Sequence, residues 1–185
     1  MIWKSLDKLL IPVTIVVIGT NSEWESEAYD RDTISLPPGT DELVRSILAA
    51  TPDAVIVNQS GMPVALPWLD SASTIVQAFF GGNEVGNGIA DVLFGKVNPS
   101  GKLPVSWGKK IEDWSSHGYF GEDEHTVYEE GVFVGYRWFD RGHNPESAFS
   151  FGHGLSYSTF VFRCVVVSPC SCRETGVWFC TPKHV

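Results

Sequence analysis

Three short apolar runs dominate the first half of the chain: "TIVVIG" (14–19), "DAVIVNQ" (53–59) and "STIVQAFFGG" (73–82). They are rich in β-branched residues, too short for helices, and each runs into polar or glycine-containing sequence, so each reads as a strand. The whole stretch Leu9–Gly19 is expected to be a buried strand; it is too short for a membrane span and lacks a persuasive leader-cleavage site. Between the first two runs, Thr40 or Asp41 is placed to cap a helix that buries Leu43, Ile47 and Leu48 and ends near Pro52. After the third, "NEVGNGIADVLFG" (83–95) reads as a helix with Val85, Ile89, Val92 and Leu93 inward. Strands alternating with helices predict a parallel sheet covered on both faces, with the second strand buried throughout.

From Lys96 the pattern changes. "KVNPSGKLPVSW" is turn-rich, 111–130 is polar and irregular, and "GVFVGYRWFDRG" (131–142) packs aromatics without a period that separates strand from helix. "FSFGHGLSYSTF" (149–160) suggests a tight turn into an edge strand. The expected class is therefore α/β: a mainly parallel sheet flanked by helices (an α/β sandwich) with an irregular, aromatic-rich C-terminal portion. Residues 1–162 are assigned to this domain. Residues 163–185 are expected to lie outside the fold. They hold all four cysteines (Cys164, Cys170, Cys172, Cys180) at a spacing that is not a usual zinc pattern.

At 185 residues and 43% hydrophobic content, the chain can bury a sizeable core. Its net charge of −9, with no Lys/Arg block longer than a pair, offers no stripe to track phosphates, so neither nucleic acid nor membrane is an expected partner. No secretion signal is credited and the compartment stays open. No metal or other cofactor is expected, since the five histidines form no helical pair.

In open parallel sheets, functional groups gather beyond the carboxyl ends of the strands. "NSEWESEAYDR" (21–31), "NQSG" (58–61) and "GGNE" (81–84) all occupy such positions and are expected to converge. The first holds three glutamates and an aspartate among eleven residues, which is either a solvated acidic surface or a source of acid–base chemistry. Trp24 and Tyr29 are aromatic faces suited to sugar rings, whereas Asp30 and Arg31 are expected to pair or cap locally. "GGNEVGNG" lacks the P-loop ending and the dinucleotide spacing; Glu84 is explained by its place at a helix start. Ser60 in "NQSGMP" does not fit a nucleophile elbow.

Taken together and in order, "NSEWESEAYDR", "NQSGMPVALPW", "GGNEVGNGIADVLFGKVNPSGKLPVSW", "YEEGVFVGYRWFD" and "FSFGHGLSYSTF" resemble the C-terminal α/β sandwich domain of family three glycoside hydrolases, especially fungal β-glucosidases. The resemblance runs from Thr14 to Phe160. It implies that the glutamate of "EAYDR", Glu27, is the general acid/base, with Glu23 and Glu25 as weaker candidates. It also implies that Tyr29, and Trp24 beside it, bind substrate, Tyr29 on the aglycone side. Alanine stands at position 28 where the family usually has glycine, a strain on the loop if the backbone needs positive φ. The family's nucleophile is an aspartate on a separate N-terminal (β/α)8 barrel, for which this chain has no room. The implied partners are thus a β-glucoside or oligosaccharide substrate and that missing barrel. The implied reaction is retaining hydrolysis of terminal β-D-glucosyl residues, with this chain alone inactive or nearly so. The competing reading is a non-catalytic carbohydrate-binding or scaffold domain.

Overall fold

The computed structural model describes residues 13–118, 127–142 and 145–160. Strands β1 (Ile15–Gly19), β2 (Val55–Gln59) and β3 (Thr74–Gln77) form one sheet in that order, with both pairs parallel. Helix α1 (Thr40–Ala50) links β1 to β2, and helix α2 (Val85–Leu93) follows β3. The register sets Val16, Ile56 and Ile75 side by side on one face, with Ile18 beside Asn58. This α/β arrangement is the expected one.

The core lies on that face. Val16, Ile18 and Ile56 pack with Val44 and Leu48 of α1, and with Leu36, Ala54, Val64, Trp68 and Trp107. Burying Val44 and Leu48 contributes roughly 1.5–3 kcal/mol apiece, which fixes the helix on the sheet. Of the residues expected inward on α1, Leu48 is buried and Ile47 packs on the core, but Val44 takes the place expected for Leu43. Leu43 is half exposed and Val44 is fully buried, because the inward stripe runs 44–48 with Ile47 beside it. Gly39, at φ 82, precedes the helix without a side-chain cap. Asp41 instead accepts a hydrogen bond from Trp68 Nε1 at 2.9 Å, so a residue read as a cap ties the helix to the core.

The opposite face is less covered. β2 is buried almost throughout, as expected, but β1 alternates: Ile15 and Val17 are 41% and 59% exposed. The expectation of a strand buried on both sides therefore fails for β1, and residues 1–12 lie outside the described ones. Helix α2 turns Val85, Ile89, Val92 and Leu93 only to half-buried positions. Gly19 closes β1 where a Cβ would collide with the Gln59 carbonyl, the acceptor for Thr20 N–H at 3.0 Å. Gly19→Ala is expected to destabilise the chain by about 1–3 kcal/mol, read in urea as a lower midpoint at unchanged slope.

The C-terminal portion is laced to this sheet by one tryptophan. Trp107 forms an antiparallel bridge with Phe149, and its Nε1 donates to the Val64 carbonyl at 2.8 Å. Leu103 exchanges backbone hydrogen bonds with His153 and Gly152, and Asn98 gathers Ser156, Tyr157 N–H and Ser158. The predicted tight turn is present at Ser150–His153, with Gly152 at φ 78, but the described residues after it form no strand, and the Trp107–Phe149 bridge lies before the turn. The ambiguous aromatic stretch contains a short helix, α3 (Tyr136–Phe139). Gly135 at φ 58 precedes it, after turns at Gly131 and Phe133, and Trp138 Nε1 donates to Asp113 O. The boundary at 162 and the cysteines lie outside the described residues.

Candidate functional site

All three strands run the same way, so Gly19, Gln59 and Gln77 end on one edge and their loops meet there. A buried amide network sets the second loop. Asn58 Nδ2 donates to Ser60 Oγ (2.9 Å) and to Gln77 Oε1 (2.7 Å), and Gln77 Nε2 donates to Ser60 O (2.9 Å). Ser60 Oγ in turn donates to Met62 O at 2.8 Å. Ser60 is wholly buried and its proton is committed, so it is a structural residue, as its failure to fit a nucleophile elbow implied. Gly61 and Met62 are thereby held at the edge. After β3, Phe79 takes φ 53, an uncommon conformation for a bulky residue, and the chain turns so that Phe80 reaches the same place.

The acidic loop is built by local polar contacts. Asn21 Oδ1 accepts Glu23 N–H at 3.0 Å, and Asn21 O accepts from Trp24 and Glu25 N–H. Glu25 folds inward: Oε1 accepts from Thr20 Oγ1 at 2.7 Å and lies 3.5 Å from Arg31 Nη1, and the two charged side chains are only 11% and 20% exposed. Arg31 Nη2 reaches Ser35 O at 3.3 Å. Arg31 therefore pairs with Glu25 and not with its neighbour Asp30.

Glu27 is exposed on the rim, and among the described residues no ion pair or hydrogen bond engages its carboxylate. Ala28, just after it, has φ 67, so the backbone does adopt the positive φ that glycine would favour. A left-handed alanine costs about 1–2 kcal/mol, and a glycine there would forfeit about 0.4–1 kcal/mol through its freer unfolded chain. Ala28→Gly is expected to raise the melting temperature by roughly 1–3 °C, measurable by thermal denaturation.

The loops enclose an open depression of about 440 Å³ lined by Glu25, Glu27, Tyr29, Gly61, Met62 and Phe80, together with Ser26 and Arg31. That volume lies in the ordinary range for small-molecule sites. Of the residues singled out from sequence, Glu25, Glu27 and Tyr29 are brought together here, while half-buried Trp24 and exposed Glu23 stand outside the lining. Met62 and Phe80 escaped sequence reasoning, although the "FFGG" run after a strand held the signal for Phe80. Glu84 accepts from Asn87 Nδ2 at 2.6 Å at the start of α2, a local structural role. Among the described residues no group of three or more His, Cys, Asp or Glu side chains is placed to hold a metal, and no helix is long and apolar enough to cross a membrane.

Chemically, the depression offers one accessible carboxylate beside apolar and aromatic surface. Glycoside cleavage with retention uses two carboxyl groups about 5–5.5 Å apart. Glu25, the nearest second carboxylate in sequence along the lining, is occupied by Thr20 and Arg31. An accessible carboxylate in this setting can give or take a proton from a bound molecule.

The family model described as "Glycosyl hydrolase family 3 C-terminal domain" matches residues 12–136. "Probable beta-glucosidase J" of Aspergillus fumigatus is 52% identical over 171 residues, covering 92% of this chain and 19% of that protein. "Beta-glucosidase" of Kluyveromyces marxianus is 52% identical over 147 residues, covering 79% of this chain and 17% of the relative. The crystal structure of the Kluyveromyces marxianus beta-glucosidase in complex with glucose aligns with a TM-score of 0.75 at 51% identity, over 78% of this chain and 17% of that one. DesR, a beta-glucosidase from Streptomyces venezuelae in complex with D-glucose, aligns with a TM-score of 0.75 at 34% identity, over 80% of this chain and 19% of its own. The chain thus spans less than a quarter of the length of these relatives.

Proposed function

Because this chain belongs to the family of glycosyl hydrolase family 3 C-terminal domains, we propose that it is the part of a retaining β-glucosidase that carries the acid/base loop, with Glu27 as the general acid/base. The observation that supports this reading best is Glu27 itself: an accessible carboxylate on a depression formed where three strand-end loops meet. The relatives' names supply the substrate class, β-glucosides, and their far greater length leaves room for a barrel domain with the nucleophile.

In this reading Glu27 protonates the glycosidic oxygen as the nucleophile attacks the anomeric carbon. It then takes a proton from the water that releases glucose. Tyr29, Met62 and Phe80 line the wall beside Glu27, where the departing aglycone would rest. In this reading the attacking group belongs to the barrel domain, so turnover is expected only with that domain present.

The test is a full-length enzyme in which residues 13–160 of this chain replace the aligned segment of the Kluyveromyces marxianus beta-glucosidase. With Glu27→Ala, azide and an activated aryl β-glucoside, the product should be β-glucosyl azide of retained configuration, because the small anion enters the space the carboxylate leaves and attacks the glycosyl intermediate in place of water, releasing the nucleophile carboxylate without needing a base. Failure of azide to enter the product, with the parent chimera active, would remove Glu27 from the role. Glucoside binding without any such effect would favour the carbohydrate-binding reading.

A further inference from the structure

We propose that Glu25 is a positioning residue that holds Glu27 at the reacting bond, an inference that rests on the assignment of Glu27 above. Its carboxylate joins three separate parts of the site. Oε1 accepts from Thr20 Oγ1, just past the end of β1, at 2.7 Å. The same oxygen faces Arg31 Nη1 at 3.5 Å, at the far end of the loop. Oε2 lies over Gly61 of the second loop, so close that a Cβ at Gly61 would stand 2.6 Å from it.

The Glu25–Arg31 pair closes the segment 25–31 into a ring, and Glu27 and Ala28 sit within that ring. Ala28 is held at φ 67, a conformation an alanine leaves when it is free to do so. Something must oppose that relaxation. The contacts available to do so are the Glu25 carboxylate with its two donors and the weaker tie of Arg31 Nη2 to Ser35 O at 3.3 Å. Side-chain exposures of 11% for Glu25 and 20% for Arg31 shield this pair from solvent, where a fully exposed pair would hold little. The inward, doubly engaged carboxylate orients the loop, and the outward one, Glu27, is left to handle the proton.

Loss of Glu25 should therefore damage proton delivery and spare the rest of the reaction. Methyl β-glucoside, whose alkoxide leaves only when protonated, and 2,4-dinitrophenyl β-glucoside, whose phenolate leaves unaided, separate the two. In the full-length chimera, Glu25→Ala is expected to lower kcat/KM on the methyl glucoside by about 10- to 100-fold, the cost of a displacement near 1 Å, and to leave the dinitrophenyl glucoside nearly untouched. Gly61→Ala, which presses on Oε2 from the other loop, should show the same selectivity. Azide with Glu25→Ala should give no glucosyl azide.

An equal fall on both substrates would reduce Glu25 to a folding role and overturn the inference, as would no fall on either. Glucosyl azide from Glu25→Ala but none from Glu27→Ala would overturn it by making Glu25 the acid/base. If Glu27→Gln itself shows no preference between the two leaving groups, the assignment of Glu27 fails, and this inference with it. If Glu27→Gln shows the preference and Glu25→Ala does not, only the positioning role is lost.

Discussion

Glu27→Gln, introduced into the full-length chimera, is expected to lower kcat/KM on methyl β-glucoside by about 10²–10⁴-fold, equivalent to roughly 3–5 kcal/mol of transition-state stabilisation. Glutamine keeps the shape and exposure of the side chain but has no proton to give. The loss should shrink as the leaving group improves, and on 2,4-dinitrophenyl β-glucoside it should nearly vanish, because that phenolate leaves without protonation. Turnover of the same substrate should still slow, since release of the glycosyl intermediate needs Glu27 as a base. Steady-state and burst kinetics on the two substrates check both statements. A uniform loss would place Glu27 in substrate binding instead.

Trp107→Ala is expected to have the largest effect on stability. The side chain is 2% exposed and sits in the core with Val64, Trp68 and Ile56. Its Nε1 satisfies the Val64 carbonyl, its N–H donates to Phe149 O at 2.8 Å, and its carbonyl accepts from Ala148 N–H at 2.7 Å. Truncation removes the packing of a large ring, at a cost of about 3–5 kcal/mol. It also leaves the buried Val64 carbonyl unpaired, an additional cost of about 1–3 kcal/mol if no water reaches it. The packing loss alone gives a fall in melting temperature of roughly 6–20 °C for a chain of this size, and the unpaired carbonyl deepens it. Trp107→Phe, which keeps most of the packing and loses only the Nε1 donor, should cost far less. If the two variants unfold alike, the hydrogen bond outweighs the packing and the account of this residue is wrong.

How much of this was legible in the sequence varied with the range of the interactions. The three strands were, because β-branched runs of that length between polar loops have few other fates. Their shared direction was legible as well, and with it the meeting of loops at one edge. The face of α1 was not fixed, because Leu43, Val44, Ile47 and Leu48 satisfy a helical stripe in two registers. Only the sheet and Trp68 select 44 and 48. Glu27 was singled out, and the positive φ at the alanine beside it anticipated, through the resemblance of the ordered motifs to a family that usually has glycine there. The partner of Arg31 was hidden because proximity in sequence favoured Asp30, whereas the turn at Ala28 brings Arg31 back to a residue six positions away. Met62 and Phe80 belong to loops whose closeness exists only once the strands are paired.

The half-exposed face of β1 bears on how such a chain behaves in a test tube. Among the described residues β1 is an outer strand of the sheet, with Val13, Ile15 and Val17 turned to solvent at 66%, 41% and 59% exposure. An outer strand with an apolar face is a template for pairing with another molecule. Colloidal behaviour should therefore limit preparations of the chain before its folding equilibrium does, and light scattering should rise with concentration at temperatures where circular dichroism still reports a native sheet.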